Sequence, residues 1–204
     1  MSAQPSGRVR AILFDLDGVL VDSYRAWFRL VNDAAKALGA PEVTEERFRG
    51  VWGQGISADV QNLYPGRTHR EVEAAYEKAM ARHGKEIRVN PEAAAVLDEL
   101  GADGYLRACV TNTQAGLARA LLDATGLLSR LDEVQGMAEG IREKPAPDLL
   151  LAALAMLCAD SDEALMVGDT RYDEEAAAAA GVPFVHFDLR TGASLRAALA
   201  PALG

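Results

Sequence analysis

The sequence predicts an α/β fold: a parallel sheet with helices on both faces, interrupted after its first strand by an inserted, all-helical block. Short apolar runs of strand length alternate with helical stretches from residue 90 onward. The stretch 22–89, by contrast, is helical throughout. Acidic and hydroxyl residues stand directly after several strand-like runs, where parallel sheets gather their ligands. The expected division is an α/β core from 1–21 and 90–204, with the helical block 22–89 between them.

The first strand is the apolar run 9–14, followed by Asp15-Leu16-Asp17-Gly18. Apolar residues then recur at helical spacing over 24–38 until Gly39 stops them. Thr44 reads as the cap of a further helix, which the glycine-rich Gly50-Val51-Trp52-Gly53-Gln54-Gly55 breaks. Two more helices follow at 57–63 and 68–82. Asn90 and Pro91 open a helix over 91–100, and the pattern then alternates. Strands are expected at 106–110, 133–135, 164–167 and 182–187, and helices at 114–124, 147–158, 172–180 and from 194. Strands joined through helices imply parallel pairing and right-handed crossovers.

With 204 residues the chain can bury a full core but is short for two independent domains. Half its residues are hydrophobic and a quarter charged, as in soluble globular proteins. A net charge of −9 argues against nucleic-acid or anionic-membrane partners, which require clustered Lys and Arg. An anionic substrate must therefore meet a local positive site. Cys109 and Cys158 fall in segments that read as buried strand and buried helix, so packed thiols in a reducing cytoplasm are expected. Residues 1–7 read as a short flexible lead without the apolar stretch of a signal peptide, and no apolar run reaches the ~18 residues of a membrane helix. The expectation is a soluble, cytoplasmic monomer or homodimer.

At the strand ends the chemistry becomes specific. Asp15 and Asp17, two residues apart after a strand, project to one side, and like charges so placed need a compensating cation. Thr111-Asn112 follows the strand 106–110 and is expected to lead into a helix start whose N–H groups can hold an anion. Gly168-Asp169 to Asp173 follows 164–167, and Lys144-Pro145 precedes the helix 147–158. Carboxylates of this kind suit Mg²⁺ with substrate phosphate oxygens completing its shell. Lysine and hydroxyl groups can hold the other phosphate oxygens, and a carboxylate can act as nucleophile.

In these motifs the chain resembles the haloacid dehalogenase-like superfamily, in its phosphoglycolate phosphatase and β-phosphoglucomutase subgroup. The resemblance rests on Asp15-Leu16-Asp17-Gly18-Val19-Leu20-Val21-Asp22-Ser23, Thr111-Asn112, Lys144-Pro145 and Gly168-Asp169 to Asp173, and it spans nearly the whole chain. It implies a Rossmann-like core, a helical cap serving as lid, and a small phosphorylated metabolite as substrate. It further implies that Asp15 is the nucleophile and Asp17 the general acid/base. Asp15, Asp17 through its main-chain carbonyl, and Asp169 would hold Mg²⁺, with Asp173 beside them, while Thr111, Asn112 and Lys144 would bind phosphate. Asp17 favours ester hydrolysis over dehalogenation. The alternatives are a sugar-phosphate mutase using the same core and a non-catalytic member of the fold.

For the cap, Trp52 and Gln54 are candidates to touch the leaving group, and Arg25, Arg49 and Arg67 to bind a substrate carboxylate. Trp27 reads as core. Glu143 stands where relatives commonly carry Gly, placing a negative charge near Lys144.

Overall fold

The computed structural model describes residues 9–204, so the lead at 1–7 lies outside the described residues. β1 (Ala11–Phe14) is buried along its whole length, and its alternating side chains serve two different cores. Two short strands, β2 (Val21–Asp22) and β3 (Arg88–Val89), pair antiparallel, Val21 opposite Val89, and form the neck through which the chain leaves and re-enters the core. Between them lie α1 (Tyr24–Leu38), α2 (Glu45–Val51), α3 (Ile56–Asn62) and α4 (His69–His83). Thr44 caps α2, its hydroxyl accepting from the Arg47 amide, and Thr68 forms a capping box with Glu71 on α4. These helices own a separate core in which Leu30 and Val31 of α1 meet Phe48 of α2 and Val72, Tyr76 and Met80 of α4.

The remaining chain runs α5 (Ala93–Ala102), β4 (Leu106–Gln114), α6 (Ala115–Ala124), β5 (Glu133–Met137), α7 (Asp148–Leu157), β6 (Ala164–Gly168), α8 (Arg171–Ala180), β7 (Phe184–His186) and α9 (Leu195–Leu203). The strands form one sheet in the order β5-β4-β1-β6-β7, every pair parallel. Ile12 and Phe14 face the layer of α5, α6 and α9 through Leu97, Leu122 and Leu195. Ala11 and Leu13 face the layer of α7 and α8 through Leu150 and Ala177. No helix among the described residues is long and apolar enough to cross a membrane.

Three local expectations are corrected. β4 does not stop at residue 110 but runs to Gln114, so Thr111 and Asn112 sit in strand and α6 starts only at Ala115. β-Branched Thr111 and Thr113 favour extended backbone, and Gln114 still pairs with Met137 across an irregularity in register. α5 begins at Ala93 rather than 91, because Asn90 turns the chain first: its Oδ1 accepts from the Glu92 amide and its main-chain oxygen from Ala93. Cys158 is not in a buried helix; α7 ends at Leu157, and Cys158 takes the left-handed cap position (φ 52°), exposed. Cys109 is buried as expected, and both thiols are free.

Candidate active site

The carboxyl edge of the sheet brings together Asp15 after β1, Thr111 in β4, Lys144 ahead of α7 and Asp169 after β6, all of them buried. Gly18 makes this possible. It turns the chain at φ +85°, and a Cβ there would stand 2.3 Å from Asp169 Oδ2.

Lys144 is the hub, 2 % exposed. Its Nζ donates to Asp15 Oδ1 at 2.8 Å, Asp173 Oδ1 at 2.5 Å and the Val110 carbonyl at 3.0 Å. Burial works against its charge, but the attraction of Asp15 and Asp173 prevails and holds its pKa above the ordinary lysine value. Asp15 is pushed well above the usual carboxylate range, first by burial, with Lys144 opposing and Asp173, Asp169 and Asp17 adding repulsion. Asp169 is raised to about 7, again chiefly by burial, although Trp52 Nε1 donates to its Oδ2 at 2.8 Å.

Oxygens of Asp15, Asp169 and Asp173 lie within 4.8 Å of one another. Asp169 Oδ1 is buried and has no hydrogen-bond partner. A dense set of carboxylate oxygens with an orphaned lone pair fits a hard divalent cation, which removes the repulsion and satisfies the orphan. Asp173 stands behind the other two. Its Oδ1 is taken by Lys144 and its Oδ2 by the Thr170 amide and hydroxyl, a capping box that starts α8. The turn-and-cap role that its position suggests is therefore also real.

The carboxylate of Asp17 does not join this set; the metal role expected of this residue is that of its main-chain carbonyl. It accepts from Ser23 Oγ and, at 2.9 Å, Trp27 Nε1 on one oxygen, and from Thr113 Oγ1 at 3.0 Å on the other. Three donors fix the orientation of this carboxylate beside Asp15. Trp27 is thus not mere core: its ring borders the cavity and its N–H orients Asp17. Thr113 was absent from the sequence reading, since a hydroxyl on a buried strand carries no distinguishing pattern.

Asn112 is placed otherwise than expected. Its amide is engaged by main chain, donating to Gly53 O and Lys144 O at 3.1 Å and accepting from Lys144 N at 2.7 Å. It positions the lysine loop and ties it to the cap, so its side chain is not a free phosphate donor. Thr111 borders the cavity, and its Oγ1 accepts from the Thr113 amide at 3.1 Å.

The cap closes over this edge through its glycine-rich turn. Gly53 turns at φ +85° with Thr170 so near that a Cβ would lie 2.5 Å from its Cγ2. Glu143, from the core, accepts from the Ser57 and Ala58 amides at 3.2 Å and so caps α3. Its carboxylate turns to the cap, not to Lys144. Between cap and core lies a cavity of about 110 Å³ bordered by Asp15, Asp17, Thr111, Lys144, Trp52 and Gln54.

Arg25 and Arg49 do not border it. They line a different cleft with Arg29 and Arg190, and Arg49 faces Glu45 at 3.7 Å. Arg67 is paired loosely with Glu71 at 3.9 Å on the surface. Helical spacing says nothing about which way a cap helix turns toward its core, which is why these arginines were misplaced. Three groups escaped notice. Asp59 of α3 accepts from Gln54 Nε2 at 2.6 Å and Tyr76 Oη at 2.7 Å, both within the cap wall. Arg190 lies 3.8 Å from Asp169 Oδ2 with its guanidinium over Tyr24 and Trp52. Its place just past β7, at the carboxyl edge, was the one available signal.

The sequence model of the family described as haloacid dehalogenase-like hydrolase matches residues 12–187. The phosphoglycolate phosphatase of Rhodospirillum rubrum is 32 % identical over 188 residues, covering 86 % of this chain and 78 % of that protein. A plasmid-encoded phosphoglycolate phosphatase of Cupriavidus necator is 34 % identical over 180 residues, covering 85 % and 78 %. In fold, the chain is similar to CbbY from Rhodobacter sphaeroides in complex with phosphate, with a TM-score of 0.76 at 22 % identity over 87 % of this chain and 85 % of that one.

Proposed function

Since the chain belongs to the haloacid dehalogenase-like hydrolases, we propose that it is a Mg²⁺-dependent phosphatase that hydrolyses a small phosphorylated metabolite through an aspartyl-phosphate on Asp15. The observation that carries this is the division of labour between two neighbouring carboxylates: Asp15 sits with Lys144 and the cation-fitting set, while Asp17 has its own three donors.

An oxygen of Asp15 attacks phosphorus, and the bond to the leaving alkoxide breaks. Asp17, as general acid, gives a proton to that alkoxide. It then takes a proton from the water that attacks the phosphoryl group, freeing inorganic phosphate and restoring Asp15. Lys144 and Thr111 hold phosphoryl oxygens, and Asn112 keeps the lysine loop in place. Asp15 and Asp169, with the main-chain carbonyl of Asp17 and with Asp173 behind, would hold Mg²⁺, which supplies charge compensation for the phosphoryl oxygens. Residues 22–89 act as the lid that excludes water from the first step. The free, buried thiol of Cys109, pushed up in pKa by burial, suits a reducing cytoplasm.

The test is phosphate release from a panel of small phosphate monoesters with Mg²⁺, the named relatives making phosphoglycolate the reference ester. Wild type should release inorganic phosphate and Asp15→Asn should lower turnover by about 10³-fold or more. Phosphate release that persists in Asp15→Asn, or none from any ester, defeats the reading. Interconversion of sugar phosphates without phosphate release would favour the mutase.

A further inference from the structure

We propose that the leaving-group half of the cavity takes an uncharged alcohol and rejects a carboxylate, so that the preferred ester of this chain is not a phosphorylated hydroxy acid. The proposal rests on the phosphatase reading and deepens it.

With the phosphoryl group assigned to Asp15, Thr111 and Lys144, the rest of the cavity wall is left for the leaving group. Its apolar part comes from Val31, Phe48, Val51, Ile56 and Leu117. Its charged part is acidic: Asp59, Glu73 and Glu77 of the cap all border it. Among the described residues that line the cavity, Lys144 is the only Lys or Arg, and the mechanism assigns it to the phosphoryl group. A carboxylate entering here gives up water for an apolar wall, without a counterion and beside like charges.

The neutral donors of the cap wall beside Asp59 are committed as well. Gln54 Nε2 and Tyr76 Oη both point at Asp59, and Gln54 Oε1 accepts from Asn62 at 3.0 Å. The amides at the start of α3 that could meet an anion are occupied by Glu143. Arg25, Arg49 and Arg190 line the other cleft, and Arg190 is held by Asp188 at 2.9 Å and stacks near Trp52. Burial raises Asp59 to about 7, opposed by its two hydrogen bonds and assisted by Glu143.

The test compares kcat/KM for 2-phosphoglycolate, its isosteric amide and n-propyl phosphate with wild type and Mg²⁺. The amide and the propyl ester should each exceed phosphoglycolate by about tenfold or more. Where another ester is the best substrate, the same ranking is read from the KI of the three as competitors. Asp59→Asn, and separately Glu73→Gln with Glu77→Gln on the more open side of the wall, should each narrow the gap by about threefold or more. Phosphoglycolate equal to or better than both neutral esters overturns the proposal while leaving the phosphatase reading intact. A gap unmoved by either set of variants overturns its electrostatic basis. Absence of Asp15-dependent phosphate release from every ester removes the phosphatase reading and this proposal together.

Discussion

The two walls of the active-site cavity are built by opposite means. The core wall is buried and densely charged, with Lys144 facing Asp15 and Asp173 and a cation-fitting set of carboxylates alongside. The cap wall is largely apolar, and the half-buried Asp59 among its acids is met by neutral donors rather than a cation. Charge on the core side is paired through Lys144, where the proposed mechanism brings the charged phosphoryl group and its metal. On the cap side it is left unpaired, and that wall therefore sorts leaving groups by what they cannot bring with them. Chemistry and selectivity thus reside in separate pieces of chain, meeting only across the cavity.

The core wall is the more fragile to a single substitution. Lys144→Met keeps much of the aliphatic volume but leaves Asp15 and Asp173 facing each other without their common partner. Breaking a buried ion pair in this way costs about 3–5 kcal/mol, and the loss of the phosphoryl-binding ammonium should lower kcat/KM by about 10²–10³-fold. Denaturant unfolding and steady-state kinetics of the same variant read the two effects. Stability within 1 kcal/mol of wild type, on the order of an ordinary surface change, would mean that the two carboxylates share a proton instead of a lysine.

The same contrast governs what could be read before the structure was in view. Asp15 and Asp169 are legible because an acid following an apolar strand is costly unless something uses it, and Lys144 because it is the isolated cation ahead of a helix that returns to the same edge. Trp27 and Thr113 fall on ordinary helix and strand positions, and only the fold reveals that both reach Asp17. Asp59 and Tyr76 look like the polar and apolar positions of any surface helix, because the cavity they border exists only once α3 and α4 have docked. Arg25 and Arg49 show the reverse error: residues of the right chemistry, on the right segment, turned to the wrong side. Strand ends are set by sheet topology, whereas a cap's inward face is set by a docking angle that no local pattern encodes.

Asp59 gives a second, smaller way to separate the walls. Its pKa is raised from 3.8 to about 7, mainly by burial. An acid with a raised folded pKa binds its proton more tightly in the folded state, so its contribution to stability is present below about pH 4 and is lost as pH climbs through 7. Asp59→Asn should remove that loss. Relative to wild type, the variant should gain about 1–3 kcal/mol between pH 4 and pH 8, whatever constant cost the altered hydrogen bonds impose. Chemical denaturation at the two pH values measures the difference. A variant whose stability tracks wild type across this range would show that Asp59 stays ionised against its two donors.

The smallest effect concerns how the walls are held together. Glu143 replaces what a helix normally finds in its own N-cap side chain: Gly55 in the cap position of α3 has none, and the carboxylate comes instead from the core. Gly55 must be small for this, since a Cβ there would lie 2.2 Å from the Glu143 carboxyl group. Because the cap has its own core of Leu30, Phe48 and Val72, weakening this contact should open the cap without unfolding it. Glu143→Gln keeps the size and one carbonyl acceptor but loses the charge that strengthens bonds to helix-start amides, a change of about 0.5–1.5 kcal/mol. That amount should appear as faster hydrogen exchange at Ser57 and Ala58 and as a KM raised by about two- to tenfold, with kcat and melting temperature little altered. Unchanged exchange at both amides would assign closure to the remaining ties across the gap, Trp52 to Asp169 and Asn112 to Gly53, and would make the glycine-rich turn, not the Glu143 loop, the element that decides when the cavity is shut.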